Sequence, residues 1–421
     1  MTKIHYNKRV DKIKSLLTSQ TSKDTAISLA GSGVVAVAGV VFTILLARAL
    51  EPESFGIYSS LAAIVGIVSV LGDLGIGSAL VNFLPKLPNK RQVLVATSFW
   101  FQIIIATIFS ILISVLAFIN HTIVPGSIPV HLILAGVLTG IYIINQYAVG
   151  LLKAEKRFLE ASIVQAVDSL GKLGLIFVFL TNNQLTIGAA LLFNSISVVI
   201  STIYALRLEL NNLPLILPKL YLKKIFKFAK WIGLSRAFGV AVSRVDIILL
   251  NLMHSSFSAG IFAAASRVGL VFALVVSALG SVVAPRFSGF TKRTQTIGYL
   301  KKLFLLTSLI SLAMLVMVAL AKPIVLLVFG VKYLEAIPVF QVLTIALIPF
   351  LFSIITSNPI IYTYNQPDYF AKITIIQVVI LVALDIILIP SLGAMAPAIS
   401  IGVSNLVVLA LGGIRLKKLL A

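Results

Sequence analysis

The 421-residue sequence contains no cysteine. That excludes a disulfide framework and any thiolate metal site. Charge is scarce as well. Asp, Glu, Lys and Arg make up 11% of the chain, against roughly 25% in a soluble globular domain. Acidic residues are the scarcer sign, 13 against 34 Lys and Arg. The four histidines, at positions 5, 121, 131 and 254, show no metal-ligand spacing. A glycine-rich phosphate loop of the Walker type is missing, so direct use of ATP is not expected. No nucleophile–base arrangement stands out either, and we expect no enzyme and no cofactor.

What is present is apolar. Hydrophobic residues make up 59% and mean hydropathy is +1.09. Such a chain cannot hide its apolar surface from water, so its solvent must be lipid. Twelve runs are long enough to cross a bilayer, which takes roughly 20 mainly apolar residues. They are 26–48, 57–81, 93–119, 129–152, 159–180, 184–207, 226–252, 257–285, 299–321, 336–362, 369–390 and 393–415. The expected fold is an all-α integral membrane protein with about twelve transmembrane helices.

The net charge of +21 would suggest nucleic acid in a soluble chain. Here it is read by position, because Lys and Arg concentrate on the cytoplasmic side of membrane proteins. Of the 34 basic residues, 27 fall in loops and run ends on the N-terminal side of the predicted membrane, three (Arg48, Lys322, Lys332) opposite, and four (Lys172, Arg236, Arg244, Arg267) deep within runs. Both termini are therefore expected in the cytoplasm. The chain divides into a basic cytoplasmic tail (1–25), a six-helix bundle (26–207), a basic cytoplasmic linker (208–225) and a second six-helix bundle with a short tail (226–421). The tail lacks the apolar region of a secretory signal. Val10, Ile13, Leu16 and Leu17 recur among its lysines at helical spacing. This fits a helix on the inner leaflet or a disordered basic segment.

A repeat relates the halves. Ser54-Phe55-Gly56-Ile57-Tyr58 matches Ser258-Ala259-Gly260-Ile261-Phe262, and Ile44-Leu45-Leu46 matches Ile248-Leu249-Leu250 at the same offset. Two halves of six spans share one orientation, as parallel repeats about an axis along the membrane normal.

Ionisable groups within spans are costly, roughly 2.5–3.5 kcal/mol on insertion scales, and mark function or pairing. Arg236 and Arg244 lie in the seventh run and Arg267 in the eighth. At 1.5 Å per residue Arg236 falls roughly 6 Å to the cytoplasmic side of mid-membrane, Arg267 near the middle, and Arg244 roughly 6 Å to the outer side. Such fixed cations suit an anion, which guanidinium can bind in bidentate fashion. The competing reading is structural pairing with Asp246 or Asp385. On a continuous helix Arg244 and Asp246 would lie about 160° apart, with Arg236 about 80° from each. Asp168 and Lys172 are one turn apart, suiting a local ion pair or a cavity pair that opens for substrate or a coupling ion. Asp73, within Gly72-Asp73-Leu74-Gly75, reads as a helix-end hydrogen-bonding residue or a coupling site, and its glycines indicate close backbone approach or a helix break. Asp385 reads as a residue reaching the outer interface. Asn145, Gln146 and Gln165 are among the neutral polar residues whose role is interhelical hydrogen bonding or contact with a polar substrate.

Several stretches together carry a family resemblance. They are Leu50 to Tyr58 (LEPESFGIY), Gly72 to Val81 (GDLGIGSALV), Gln146 to Phe158 (QYAVGLLKAEKRF), Ser243 to Leu250 (SRVDIILL), Ala284 to Ser288 (APRFS), Pro323 to Tyr333 (PIVLLVFGVKY) and Pro390 to Ala398 (PSLGAMAPA). In these the chain resembles the polysaccharide (O-antigen type) flippases of the multidrug/oligosaccharidyl-lipid/polysaccharide exporter superfamily. The resemblance implies a V-shaped pair of six-helix bundles working by alternating access in a prokaryotic cytoplasmic membrane. It implies an undecaprenyl-pyrophosphate-linked oligosaccharide moved from inner to outer leaflet, and polysaccharide assembly proteins as further partners. The superfamily's lipid II flippases usually have two extra spans, which this chain lacks. For such a substrate the intramembrane arginines Arg236, Arg267 and Arg244 become the candidate pyrophosphate contacts, and Asp168, Lys172, Asp246 and Asp73 the candidate coupling or cavity groups. H+ or Na+ would be the coupling ion. The alternatives are a cation-coupled multidrug exporter of the same superfamily, whose cavity should be acidic, and a lipid-linked sugar polymerase or ligase, which would need a sizeable outer loop.

Overall fold

The computed structural model describes residues 20–119, 123–180, 185–209, 218–290 and 292–420. Most of the basic tail, and residues 210–217 of the linker, lie outside that set. Among the described residues the chain is helical and has no strand. In chain order the helices are α1 (Gln20–Ala49), α2 (Pro52–Asp73), α3 (Ile76–Phe83), α4 (Arg91–Ile119), α5 (Pro129–Ala154), α6 (Phe158–Leu180), α7 (Ile187–Glu209) and α8 (Lys219–Val242). They continue as α9 (Val245–Met253), α10 (Ser256–Ser288), α11 (Arg293–Ala319), α12 (Ala321–Val328), α13 (Ala336–Asn358), α14 (Pro367–Leu392) and α15 (Ala396–Leu420). Each of the twelve apolar runs is occupied by helix. By length and apolarity alone, eight helical segments among the described residues qualify as membrane spans, and one of these, Pro367–Leu420, contains both α14 and α15.

The side chains are arranged for lipid. On α11, Leu305, Leu309, Leu312 and Val316 recur every three or four residues and are 51–64% exposed. On α4 a similar stripe of Ile104, Ile108, Ile111, Leu112 and Val115 is 41–56% exposed. A monomeric soluble protein rarely exposes such contiguous apolar stripes. The buried face of α4 instead carries Thr97, Ser98 and Gln102. Its partner α5 lays Gly136 and Gly140 on Ser110, Ser114 and Ala106 of α4. Apolar burial gives little net drive between helices in lipid, so close packing of small residues and buried hydrogen bonds hold them together.

The chain forms two compact units. The first comprises residues 1–46, 64–121 and 127–241, and the second 47–63, 122–126 and 242–421. In the first, α5 packs on α3, α4 and α7. Its core includes Ile76, Leu80, Leu94, Tyr147 and Leu151. In the second, α13 packs on α10 and α15, with Phe272, Phe287, Leu303 and Met314 in the core.

Within the second unit, the repeated Ser-x-Gly-Ile segments meet. A Cβ on Gly56 would strike the Ser256 carbonyl oxygen and the Gly260 nitrogen, and a Cβ on Gly260 would strike the Pro52 carbonyl oxygen. The contact is reciprocal, as between surfaces related by a local two-fold axis. The end of α1 is tied down nearby. Arg48 donates to the carbonyl oxygens of Leu327 and Val328 at the C-terminal end of α12, and Tyr333 Oη donates to Ala47 O at 2.9 Å. A guanidinium against a helix C-terminus satisfies open carbonyls and complements the helix dipole.

The second run is broken where the sequence places its glycines. Leu74 (φ 49°) and Gly75 (φ 73°) leave the helix, and α3 starts at Ile76. The seventh run was expected to be one helix over 226–252. It is interrupted instead at Ser243-Arg244, between α8 and α9. The angular offsets expected for Arg236, Arg244 and Asp246 on a continuous helix therefore do not apply.

Candidate functional site

The first unit contains a cavity of about 240 Å³, lined by Asp73, Gly77, Ser78, Val81, Asn145, Gln146, Val149, Gly150, Lys153, Gln165 and Arg236. Part of its lining is bare backbone. A Cβ on Gly150 would lie 2.9 Å from Gly77 Cα, and one on Gly77 would lie 3.3 Å from Gly150 Cα. No side chain stands between α3 and α5 at that point.

Asp73 is the carboxylate of the lining. It ends α2, and the break after it turns its carboxyl toward the backbone N–H groups of Gly75 and Gly77 at the start of α3. Free amides at a helix N-terminus favour an anion. Its other partner is Arg236 of α8, whose Nη1 donates to Asp73 Oδ2 at 2.8 Å. Helix α8 comes close enough because Gly75 and Gly233 face each other. A Cβ on Gly75 would sit 2.6 Å from Ala229 O and 2.7 Å from Gly233 N. The pair is lopsided, since the Asp73 side chain is 3% exposed and that of Arg236 48%. The remaining donors of Arg236 are open to the cavity.

Lys153, at the end of α5, is the second cation in the lining. It is close enough to Arg236 for the two like charges to act on each other. Sequence reasoning counted it only as a basic loop residue. The signal that would have found it is its register with Gln146 and Gly150, at i, i+4 and i+7 on one helix face. Gln146 Nε2 donates to Ser69 Oγ at 3.3 Å, and Asn145 Nδ2 donates to Ser201 Oγ and Thr202 Oγ1 at 2.8 and 3.0 Å.

Asp168 and Lys172 are not in the cavity lining. They form an i,i+4 ion pair at 2.8 Å. Lys172 Nζ also donates to Tyr142 Oη at 2.9 Å, and Tyr142 Oη to Asn194 Oδ1 at 3.2 Å. The pair anchors a polar seam between α5, α6 and α7.

The other two arginines belong to the second unit. Arg244, at the start of α9, donates from Nη1 to Ala62 O at 3.2 Å. Arg267, on α10, lies near Arg244 and the Tyr58 phenol. Its Nε is buried and has no hydrogen-bond partner among the described residues. Neither arginine is among the described ion pairs with Asp246 or Asp385. Those two carboxyls act on each other instead. Asp385 is fully buried and Asp246 is 6% exposed. The two carboxyls lie within reach of each other, and the Ser400 hydroxyl lies beside Asp385. Asp385 was expected to reach the interface. It does not, because α14 turns it inward against α9.

Known proteins give a consistent placement. The structure of an inward-facing multidrug resistance MATE family transporter of the MOP superfamily superimposes with a TM-score of 0.71 at 16% identity, covering 92% of this chain and 94% of that one. The inward closed conformation of the lipid II flippase MurJ gives 0.71 at 14%, covering 93% and 87%. The fold is thus that of the MOP-superfamily transporters. A Shigella flexneri protein named "Putative O-antigen transporter" is 23% identical over 369 residues, 84% of this chain and 88% of its own length. The family model described as polysaccharide biosynthesis protein matches residues 21–291. By that match, the chain belongs to the polysaccharide biosynthesis protein family.

Proposed function

We propose that this protein moves an undecaprenyl-pyrophosphate-linked oligosaccharide from the inner to the outer leaflet of a prokaryotic cytoplasmic membrane, by alternating access and without catalysing a reaction. In this reading the chain crosses twelve times with both termini in the cytoplasm. Residues 26–207 and 226–421 are its two repeats, and residues 1–25 and 208–225 are basic cytoplasmic segments. The observation that carries the reading is Arg267. It lies on an apolar helix, beside a second arginine, with a buried Nε that no described residue satisfies. A guanidinium placed this way is costly in a membrane and points to an anion that arrives from outside the protein. The neighbouring Arg244 is the second guanidinium beside it. The likeness to a protein named as an O-antigen transporter supports the same substrate class.

Turnover needs a driving ion, and the Asp246–Asp385 pair suits a cation. Two facing carboxylates repel unless a proton or metal cation lies between them. We assign H+ or Na+ coupling to this pair, and a structural role to Asp168 and Lys172.

The test is binding of undecaprenyl pyrophosphate to the purified protein, beside Arg267→Ala. Saturable binding that the substitution weakens at least tenfold, with unchanged thermal stability, is expected. Binding of organic cations in place of the lipid would refute the assignment and make the protein a drug exporter.

A further inference from the structure

We infer that the cavity of the first unit is a receiving site for the phosphate-linked sugar head, in which Lys153 and the open donors of Arg236 hold phosphate while Gln165, Ser78 and Gln146 read sugar hydroxyls. The inference rests on the proposed flippase reading and adds the place and the residues of first contact.

The charge balance is the first argument. The lining has two cations and one carboxylate. That carboxylate is already committed to Arg236 and to the start of α3. Lys153 has no counter-ion among the described residues. A lysine at a helix end can snorkel to water without needing a ligand. Lys153 instead shares a cavity with Arg236, whose charge it feels. Two cations converging on one space are stabilised by an anion between them. The Arg236 side chain is half-exposed, and guanidinium N–H groups outside an ion pair can meet phosphate as a fork.

The neutral lining is the second argument. Gln165 and Ser78 have no hydrogen-bond partner among the described residues, although both line the cavity. Gln146 uses its amide nitrogen on Ser69, which leaves its carbonyl oxygen as an acceptor. Amides and a hydroxyl beside two cations are the groups a phosphorylated sugar requires. The volume of about 240 Å³ falls below the roughly 300–1,000 Å³ of drug-sized sites. It suits a compact polar head with its lipid tail outside. In the proposed orientation Lys153 marks the cytoplasmic end of α5, the side on which the substrate is loaded.

The test uses the full chain in nanodiscs of zwitterionic lipid. Two probes are compared: undecaprenyl pyrophosphate, bare and bearing N-acetylglucosamine. Lys153→Gln should weaken both by about tenfold, as expected for loss of one charge-assisted contact. Gln165→Ala should weaken only the sugar-bearing probe, by about fivefold. Lys153→Arg, which keeps the charge, should bind both within about twofold of the parent. If Lys153→Arg loses as much as Lys153→Gln, charge is not the determinant and the inference fails. If the parent protein binds both probes and the two pocket variants bind equally well, the inference fails while the flippase reading stands. If the parent binds neither probe, the flippase reading itself falls. The measurement is repeated with phosphatidylglycerol in the nanodiscs. Displacement of both probes through Lys153 would reassign the cavity to bulk lipid heads and overturn the inference.

Discussion

Gly56 and Gly260 cross backbone to backbone, with the Ser256 and Pro52 carbonyl oxygens in the spaces where their Cβ atoms would stand. They occupy equivalent positions in the sequence repeat, so each position constrains its counterpart. Gly56→Ala or Gly260→Ala should each destabilise the protein by about 3 kcal/mol, the upper end for overpacking. The obstructing atoms are backbone and cannot rotate away. Thermal unfolding in detergent measures this, and a midpoint within a degree of the parent for either variant would contradict the crossing.

The Asp73–Arg236 pair predicts an asymmetry. Arg236→Ala leaves a buried carboxylate without its counter-charge and should cost about 1–3 kcal/mol. Asp73→Asn keeps an acceptor for Arg236 and leaves a half-exposed guanidinium that water can solvate, so it should cost under about 1 kcal/mol. Equal losses in thermal stability would show that the ion pair does not hold α8 to the break after α2.

Much of this architecture is legible in the sequence, and the reasons are physical. Lipid demands long apolar runs, so each helix announces itself by composition. The break after Asp73 is visible because glycine permits the positive φ found at Gly75. The break between α8 and α9 is not visible. Ser243-Arg244 sits in a continuous apolar stretch, with no proline at the point of interruption. The partner of Asp73 also stays hidden, because 163 residues separate it from Arg236. Asp385 misleads for a related reason. Its depth along α14 can be counted, but the face it presents is set by packing on α9. Lys153 looks like one of many cytoplasmic charges until its helix is rolled against α3 and the cavity appears.

The Asp246–Asp385 pair yields a third prediction. Removing one charge relieves a repulsion, so Asp385→Asn should unfold at the same temperature as the parent or higher. In proteoliposomes the same variant should lose the response of transport to an imposed proton or sodium gradient. A variant that still follows the gradient would free the pair from the coupling role.

The absence of native cysteine permits a direct test of orientation. In the proposed topology Val331→Cys, at an exposed turn before α13, should react with a membrane-impermeant maleimide on intact cells. Asn89→Cys, exposed before α4, should react only after permeabilisation. The opposite pattern would invert the topology.

The bare glycine contact in the cavity lining has a consequence for how such a protein can diverge. Gly77 and Gly150 leave no atom that could be traded for a larger or smaller one without parting α3 from α5. That part of the lining is therefore a property of the backbone, inherited whole. Any retuning toward a new ligand has to be written in the walls, at positions such as Ser78, Gln146 and Gln165. A lineage can exchange those side chains singly while the helices beneath keep their registration. Novelty in the side chains and stasis at the glycines is the evolutionary signature this arrangement should leave among its descendants.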